Sequence, residues 1–214
     1  MPRKALDRQM DKIRRDILEM SELVSNAVSK AMTALENKDK KLANEVIIGD
    51  ELINNYYTHI KRRSIQTIAL QQPVAKDLRF ISISLDVAYN LERIGDYAKD
   101  IAQSLEYMNR GYFMLDEISE MGRISSQMSK DSAYAFVNED RGKIDRILKK
   151  EDRVDELYAS VFPILKNVIE EKCENCPNAL NLILIAKFIE RIADHSVNIA
   201  NRAMYEISGE EEYL

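Results

Sequence analysis

An all-α fold of two tandem antiparallel three-helix bundles, related by internal duplication, is what this sequence predicts. Three observations lead there. Apolar residues recur at helical spacing over stretches of about thirty residues. Only 6 glycines and 4 prolines occur in 214 residues, while Ala, Leu, Ile, Glu, Lys and Arg dominate, a helical composition with few breakers. Finally, Leu91-Glu92-Arg93-Ile94-Gly95-Asp96 returns ninety-eight positions later (190 against 92) as Ile189-Glu190-Arg191-Ile192-Ala193-Asp194. The match persists beyond it, Asp100-Ile101-Ala102 falling opposite Asn198-Ile199-Ala200, as expected of a repeated unit. The halves are residues 1–110 and 111–214, divided at Asn109-Arg110-Gly111.

The first helix spans about residues 5–36, where Leu6, Met10, Ile13, Ile17, Met20, Val24, Ala27 and Ala31 alternate steps of four and three in a heptad seam. Asn37-Lys38-Asp39 breaks it. A second helix, about 39–70, runs through Leu42, Val46, Ile53, Tyr57 and Ile60. Gln71-Gln72-Pro73 ends it, because the residue before a proline avoids helical geometry. The third, about 75–107, carries the stripe Val87, Leu91, Ile94, Ala98, Ile101 and Leu105, which leaves Glu92 and Asp96 at the edge of a helix–helix groove. Helices at about 115–138, 141–171 and 177–208 repeat the order. Ile118, Met121, Ile124 and Met128 on the fourth read as core packing. Pro163 lies inside the fifth, where a lost amide donor and a ring clash predict a bend rather than an end. Pro177 suits the first turn of the sixth. Connections this short force neighbours to run up and down, and the expected arrangement joins two bundles, each about 45 Å long, end to end.

A net charge of −5, with no basic run longer than Lys61-Arg62-Arg63 to track a phosphate backbone, argues against direct nucleic-acid binding. The N-terminal residues lack the apolar stretch of a signal peptide, and no run approaches the roughly 18 apolar residues of a membrane span. No membrane insertion and a cytoplasmic location are expected. Cys173 and Cys176 form one C-x-x-C unit with no second pair to complete a four-thiolate site. They read as ordinary cysteines at a helix connection, a labile disulfide or a half-site shared across a dimer being the other readings. His59 stands alone, and His195 points about 100° around the helix from Asp194.

The chemistry resides in the carboxylates. Glu92 with Asp96, and Glu190 with Asp194, are pairs at i and i+4, whose Cβ atoms lie about 5–6 Å apart on one helix face, so they repel unless a cation, proton or water intervenes. Aligning Ile53 with Val154 and Tyr57 with Tyr158 sets Asp50 and Asn54 against Glu151 and Asp155. Asp50 should then face Glu92 and Asp96, with Asp100 one turn further on, and Glu151 with Asp155 should face Glu190 and Asp194. Two facing helices lined with oxygen donors suit hard or borderline cations, Mg²⁺, Mn²⁺, Fe or Zn²⁺, and the residues alone do not select among them. Acidic pairs are also common on solvated helix faces, and Arg93 and Arg191 stand beside these as salt-bridge partners.

Gln71-Gln72-Pro73-Val74-Ala75-Lys76-Asp77-Leu78-Arg79, followed by the two acidic repeats and His195, resembles the PhoU family of phosphate-uptake regulators over nearly the whole chain. The resemblance implies two three-helix bundles with metal clusters on repeated Glu/Asp-x-x-x-Asp motifs. It also implies a non-enzymatic cytoplasmic regulator acting with a Pst-type phosphate ABC transporter and, in many bacteria, a sensor histidine kinase. Carried over by residue, the metal positions are Asp50, Glu92 and Asp96 in the first half, and Glu151, Asp155, Glu190 and Asp194 in the second. Asn54 departs from the motif where an aspartate would complete it, and Asn198 stands opposite Asp100.

The expected function is therefore a metal-binding negative regulator of phosphate uptake, working through contact with transporter or kinase. A homodimer is the expected assembly, with ions able to be shared between exposed acidic grooves. A helical scaffold or dimerisation module whose acids are only solvated surface is the alternative. A metal-dependent phosphate-ester hydrolase is a third reading, but no Glu-x-x-His motif, nucleophile–base pair or glycine-rich phosphate loop supports catalysis.

Overall fold

The computed structural model describes residues 2–109 and 111–210. Met1, Arg110 and residues 211–214 lie outside them, so the break expected at Asn109-Arg110-Gly111 is described only at its two ends. The chain forms α1 (Pro2–Asn37), α2 (Lys40–Gln71), α3 (Ala75–Ser104), α4 (Asp116–Asn138), α5 (Arg141–Glu171) and α6 (Cys176–Ser208). Short 3₁₀ turns, Leu105–Tyr107 and Cys173–Asn175, follow α3 and α5, and no strand occurs among the described residues. α5 runs unbroken through Pro163.

The junctions are built from the same parts twice. Lys38 and Glu139 adopt left-handed backbone, with φ of 58° and 54°. The next residue is in each case an aspartate that caps the following helix. Asp39 accepts from the amides of Lys41 and Leu42 at 2.9 and 3.0 Å, and Asp140 from that of Lys143 at 3.1 Å. These bonds satisfy amides that an uncapped first turn leaves without partners.

The heptad seam of α1 is buried as expected, except that Ala27 is half-buried and Val28 fills its place in the core. A straight helix of 3.6 residues per turn drifts against a repeat of 3.5, and Val28 restores the contact. Ile118, Met121, Ile124 and Met128 are buried packing residues.

Within each half the three helices all touch, and the halves meet along α1–α4 and α3–α6. The bundles therefore lie side by side, which corrects the end-to-end arrangement. The reason lies in small residues on α1 and α4. A Cβ on Gly122 would stand 2.7 Å from the Met32 side chain, so any larger residue there would force that side chain to shift. Nearby, the hydroxyl of Ser25 donates to the Ser126 carbonyl at 3.1 Å and that of Ser126 to the Ser25 carbonyl at 3.0 Å. Small, mutually bonded serines let two helices pack closely without leaving polar groups unmet. α2 and α5 are left on the flanks, and one face of the molecule runs α2, α3, α6, α5.

Candidate metal centres

Asp50 projects from α2 into the α2–α3 groove and is only 4% exposed. Its Oδ2 accepts from Lys99 Nζ at 2.8 Å and from Asn54 Nδ2 at 3.1 Å. Its Oδ1 is buried with no hydrogen-bond donor. Gly95 makes room for it: a Cβ there would stand 3.1 Å from two carbons of Ile53 and 3.7 Å from Asp50 Oδ1. Glu92, Asp96 and Asp100 follow one another along α3 at intervals of four, and Arg93 Nη1 holds Asp96 Oδ2 at 2.6 Å.

The second half repeats the design with different counter-ions. Lys187 Nζ donates to Glu190 Oε1 at 2.7 Å, and Arg191 Nη1 to Asp194 Oδ2 at 3.0 Å. Glu190 Oε2 is buried without a hydrogen-bond partner, the Arg191 Nε lying 3.7 Å away. Glu151 and Asp155 come from α5 to complete the groove. Asp155 lies at the exposed rim.

Each set behaves electrostatically as a group. Burial, then Asp96 and Asp50, raise the Glu92 pKa against the pull of Arg93 and Lys99. Asp100 is raised by burial and then by Asp96. Glu151 is raised by burial, then by Asp155, Asp152, Asp194 and Glu190, and Asp194 by burial and then Glu190. The eight acids singled out in the sequence thus influence one another in two electrostatic sets, Asp50, Glu92, Asp96 and Asp100 on α2–α3 and Glu151, Asp155, Glu190 and Asp194 on α5–α6.

Among the described residues no three carboxylate, imidazole or thiol groups stand together as a ready-made metal-binding set. Basic side chains supply the positive charge. The donor chemistry nevertheless fits a hard cation, since each cluster holds one buried carboxylate oxygen without a donor and acids that destabilise one another's charged forms. Lys99 and Lys187 were not singled out in the sequence. Their equivalents ninety-eight positions away are Val197 and Tyr89, so a search for repeats passes over them.

Between the clusters, on the α3–α6 seam, His195 Nδ1 bonds Asn90 Oδ1 at 2.8 Å. Asn90 Oδ1 can only accept, which places the proton on Nδ1. Burial, then Arg93 and Arg191, lower the His195 pKa. The cysteines are free thiols, Cys173 exposed and Cys176 half-buried at the start of α6.

The PhoU domain model matches this chain twice, over residues 17–105 and 118–203. The phosphate-specific transport system accessory protein PhoU homolog of Clostridium acetobutylicum is 31% identical, over 99% of this chain and 98% of that protein. The Aquifex aeolicus homolog is 35% identical, over 96% and 94% of the two chains, and PhoU of Escherichia coli 30%, over 95% and 85%. Crystal structures of PhoU from Streptococcus pneumoniae and Pseudomonas aeruginosa match with TM-scores of 0.91 and 0.90, each at 28% identity. They cover 98% and 95% of this chain and 100% and 99% of their own. A likeness that spans both halves in sequence and in fold leaves one conclusion: this chain belongs to the PhoU family.

Proposed function

We propose that this protein is a metal-binding accessory regulator of a phosphate-specific transport system, restraining phosphate uptake through contact with components of a phosphate ABC transporter and, where one exists, a sensor histidine kinase. Relatives of this length and identity are named accessory proteins of that system, and the role is regulatory rather than enzymatic. No helix of the described residues is long and apolar enough to cross a membrane, which suits a protein that visits a transporter from the cytoplasmic side.

The observation that carries the reading is the duplicated acid cluster on a single face, each copy with a buried carboxylate oxygen lacking a donor. Asp50, Glu92, Asp96 and Asp100 would hold cations in the first half, and Glu151, Asp155, Glu190 and Asp194 in the second. Fe, Zn²⁺, Mn²⁺ and Mg²⁺ all suit oxygen donors. A bound cation would supply charge neutralisation there, offsetting the burial and the mutual repulsion that raise the pKa values of Glu92, Asp100, Glu151 and Asp194. A homodimer sharing ions at its acidic faces extends the same chemistry.

Elemental analysis of the purified chain and of a Glu92→Ala/Glu190→Ala variant tests this, with circular dichroism for folding and binding to purified transporter as the functional readout. Stoichiometric metal and transporter binding in the parent, both diminished in a still-helical variant, is the expected result. The ion pairs of Lys99 and Lys187 favour a second reading, a helical scaffold whose acids are balanced internally. Parent protein that takes up none of the four metals would leave that one standing.

A further inference from the structure

Away from the acid clusters, at the end of α2 that leads into the Gln71-Gln72-Pro73 segment, a cavity of about 230 Å³ opens between α1 and α2. It is lined by Gln9, His59, Arg62, Arg63, Gln66 and Gln71 among others, and no carboxylate lines it. In a chain of net charge −5 such a lining is unusual, and its parts are not equivalent.

Arg63 is held in place. Its Nε donates to Asp16 at 2.9 Å, its Nη1 to Gln9 Oε1 at 3.4 Å and its Nη2 to His59 Nε2 at 2.6 Å. A guanidinium only donates, so His59 Nε2 is the acceptor of this bond, and the same nitrogen lies 3.6 Å from Asp16 Oδ2. Asp16 cancels the Arg63 charge and stands behind it, outside the lining. Arg62 is exposed, forms no ion pair with another described residue, and has Thr58, His59, Ile65 and Gln66 as its i±3 and i±4 neighbours, none of them acidic. The cavity therefore offers one uncompensated guanidinium beside a second that is held in a fixed orientation, together with three carboxamides. Guanidinium and amide donors without a competing acceptor charge are the chemistry of oxyanion recognition. The volume falls below the roughly 300–1,000 Å³ of sites for drug-sized ligands and suits a small polyatomic ion with its water.

The second half does not repeat this lining. At the 101-residue offset relating α2 to α5, Arg62, Arg63 and Gln66 correspond to Pro163, Ile164 and Asn167. The arginine pair is carried by one half of the repeat only.

We propose that this cavity binds a small tetrahedral oxyanion of the orthophosphate class, with Arg62 as its principal cation. The site is independent of metal at the acid clusters, so its test uses full-length protein freed of metal by chelator, which keeps phosphate from binding through a cluster-held ion. Orthophosphate is titrated by calorimetry and ³¹P line width, and anionic phospholipid vesicles, compared with phosphatidylcholine vesicles, are tested by co-sedimentation. Arg62→Ala and Gln66→Ala are the variants, and melting temperature confirms that exposed Arg62 is dispensable for folding. One saturable orthophosphate site, weakened about tenfold or more by Arg62→Ala, is the expected result. Vesicle binding lost in Arg62→Ala, without orthophosphate binding, supports the same site with a lipid headgroup as the source of the anion. Failure of both ligands to bind, or binding that survives Arg62→Ala, overturns the proposal and leaves the metal reading untouched.

Discussion

Tyr97 and His195 occupy equivalent positions of the two halves (195 − 97 = 98) and meet across the α3–α6 seam with ring centroids 5.7 Å apart. Each reaches the same position of the opposite half, Tyr97 the ring of Phe188 at 6.0 Å and His195 the amide of Asn90 at 2.8 Å. A residue that touches its own duplicate marks a local two-fold axis, and Ser25 with Ser126 marks it between α1 and α4. Along these two seams the repeat is thus folded on itself as a symmetric dimer would be. The acid clusters fall at matched places on either side of the axis.

His195 gives that seam a pH dependence. Burial first, then Arg93 and Arg191, hold its folded-state pKa below the roughly 6.5 of an unfolded chain, so the unfolded state takes up the proton first. The resulting stability is fully present above about pH 6.5 and is lost as pH falls through the folded value. His195→Gln keeps a donor for Asn90 but does not titrate. Between pH 7.5 and 5.5 the urea midpoint of metal-free parent should fall relative to the variant. Parallel midpoints over that range would show that His195 carries no such linkage.

The Glu151 cluster has the opposite sign. Its folded-state pKa is raised, so its contribution is present below the unfolded value near 4.3 and lost as pH rises through the folded one. At neutral pH the metal-free cluster therefore costs stability. Glu151→Gln removes one member of an i, i+4 acidic pair and should stabilise metal-free protein by about 0.5 kcal/mol, roughly 1–2 °C for a chain of this size. In a cation-containing buffer the same variant should lose part of any metal-induced rise in melting temperature. A variant less stable than the parent in chelator would contradict the repulsion.

The repeated acid pairs were legible in the sequence because Glu92 and Asp96 recur as Glu190 and Asp194 in a matched apolar register, and helix ends were legible at Asn37-Lys38-Asp39 and at Pro73. The side-by-side packing was not. Its seam uses Ser25, Ser29, Ser126 and Gly122, and small polar residues at helical spacing read as surface unless a second helix is known to approach. The counter-ions were hidden for a different reason: Lys99 reaches Asp50 from another helix and has no duplicate, so neither local spacing nor the repeat points to it.

Gly95 and Ile53 test whether the halves are interchangeable in their cores. The equivalent positions carry Ala193 and Val154, a methyl group having moved from one partner to the other. Gly95→Ala gains up to about 1 kcal/mol of helix propensity but sets a Cβ 3.1 Å from Ile53 Cδ1 and Cγ2. Overpacking of a core costs about 1–3 kcal/mol, so the single variant should be destabilised by about 1 kcal/mol. In an Ile53→Val background the substitution should become neutral or better, a coupling of about 0.5–1.5 kcal/mol by denaturant unfolding. Equal effects in both backgrounds would mean that the contact is relieved elsewhere.

Lys99 stands where a cation would act. Its ammonium lies 2.8 Å from Asp50 Oδ2, on a carboxylate whose side chain is 5% exposed. Lys99→Met leaves that charge with Asn54 as its remaining donor. Breaking a buried pair costs about 3–5 kcal/mol, and since the Lys99 side chain is 32% exposed a loss of about 1–3 kcal/mol is expected in chelator. If the ammonium and a metal ion compete for Asp50, the variant should bind metal more tightly and recover most of that loss. A ligand at a hundredfold excess over its dissociation constant contributes about 2.7 kcal/mol, enough to offset the deficit. Thermal melts with and without Mn²⁺ or Fe²⁺ should then show a larger metal-induced rise for Lys99→Met than for the parent. A rise no larger than the parent's would mean that Lys99 is a structural counter-ion that no metal replaces.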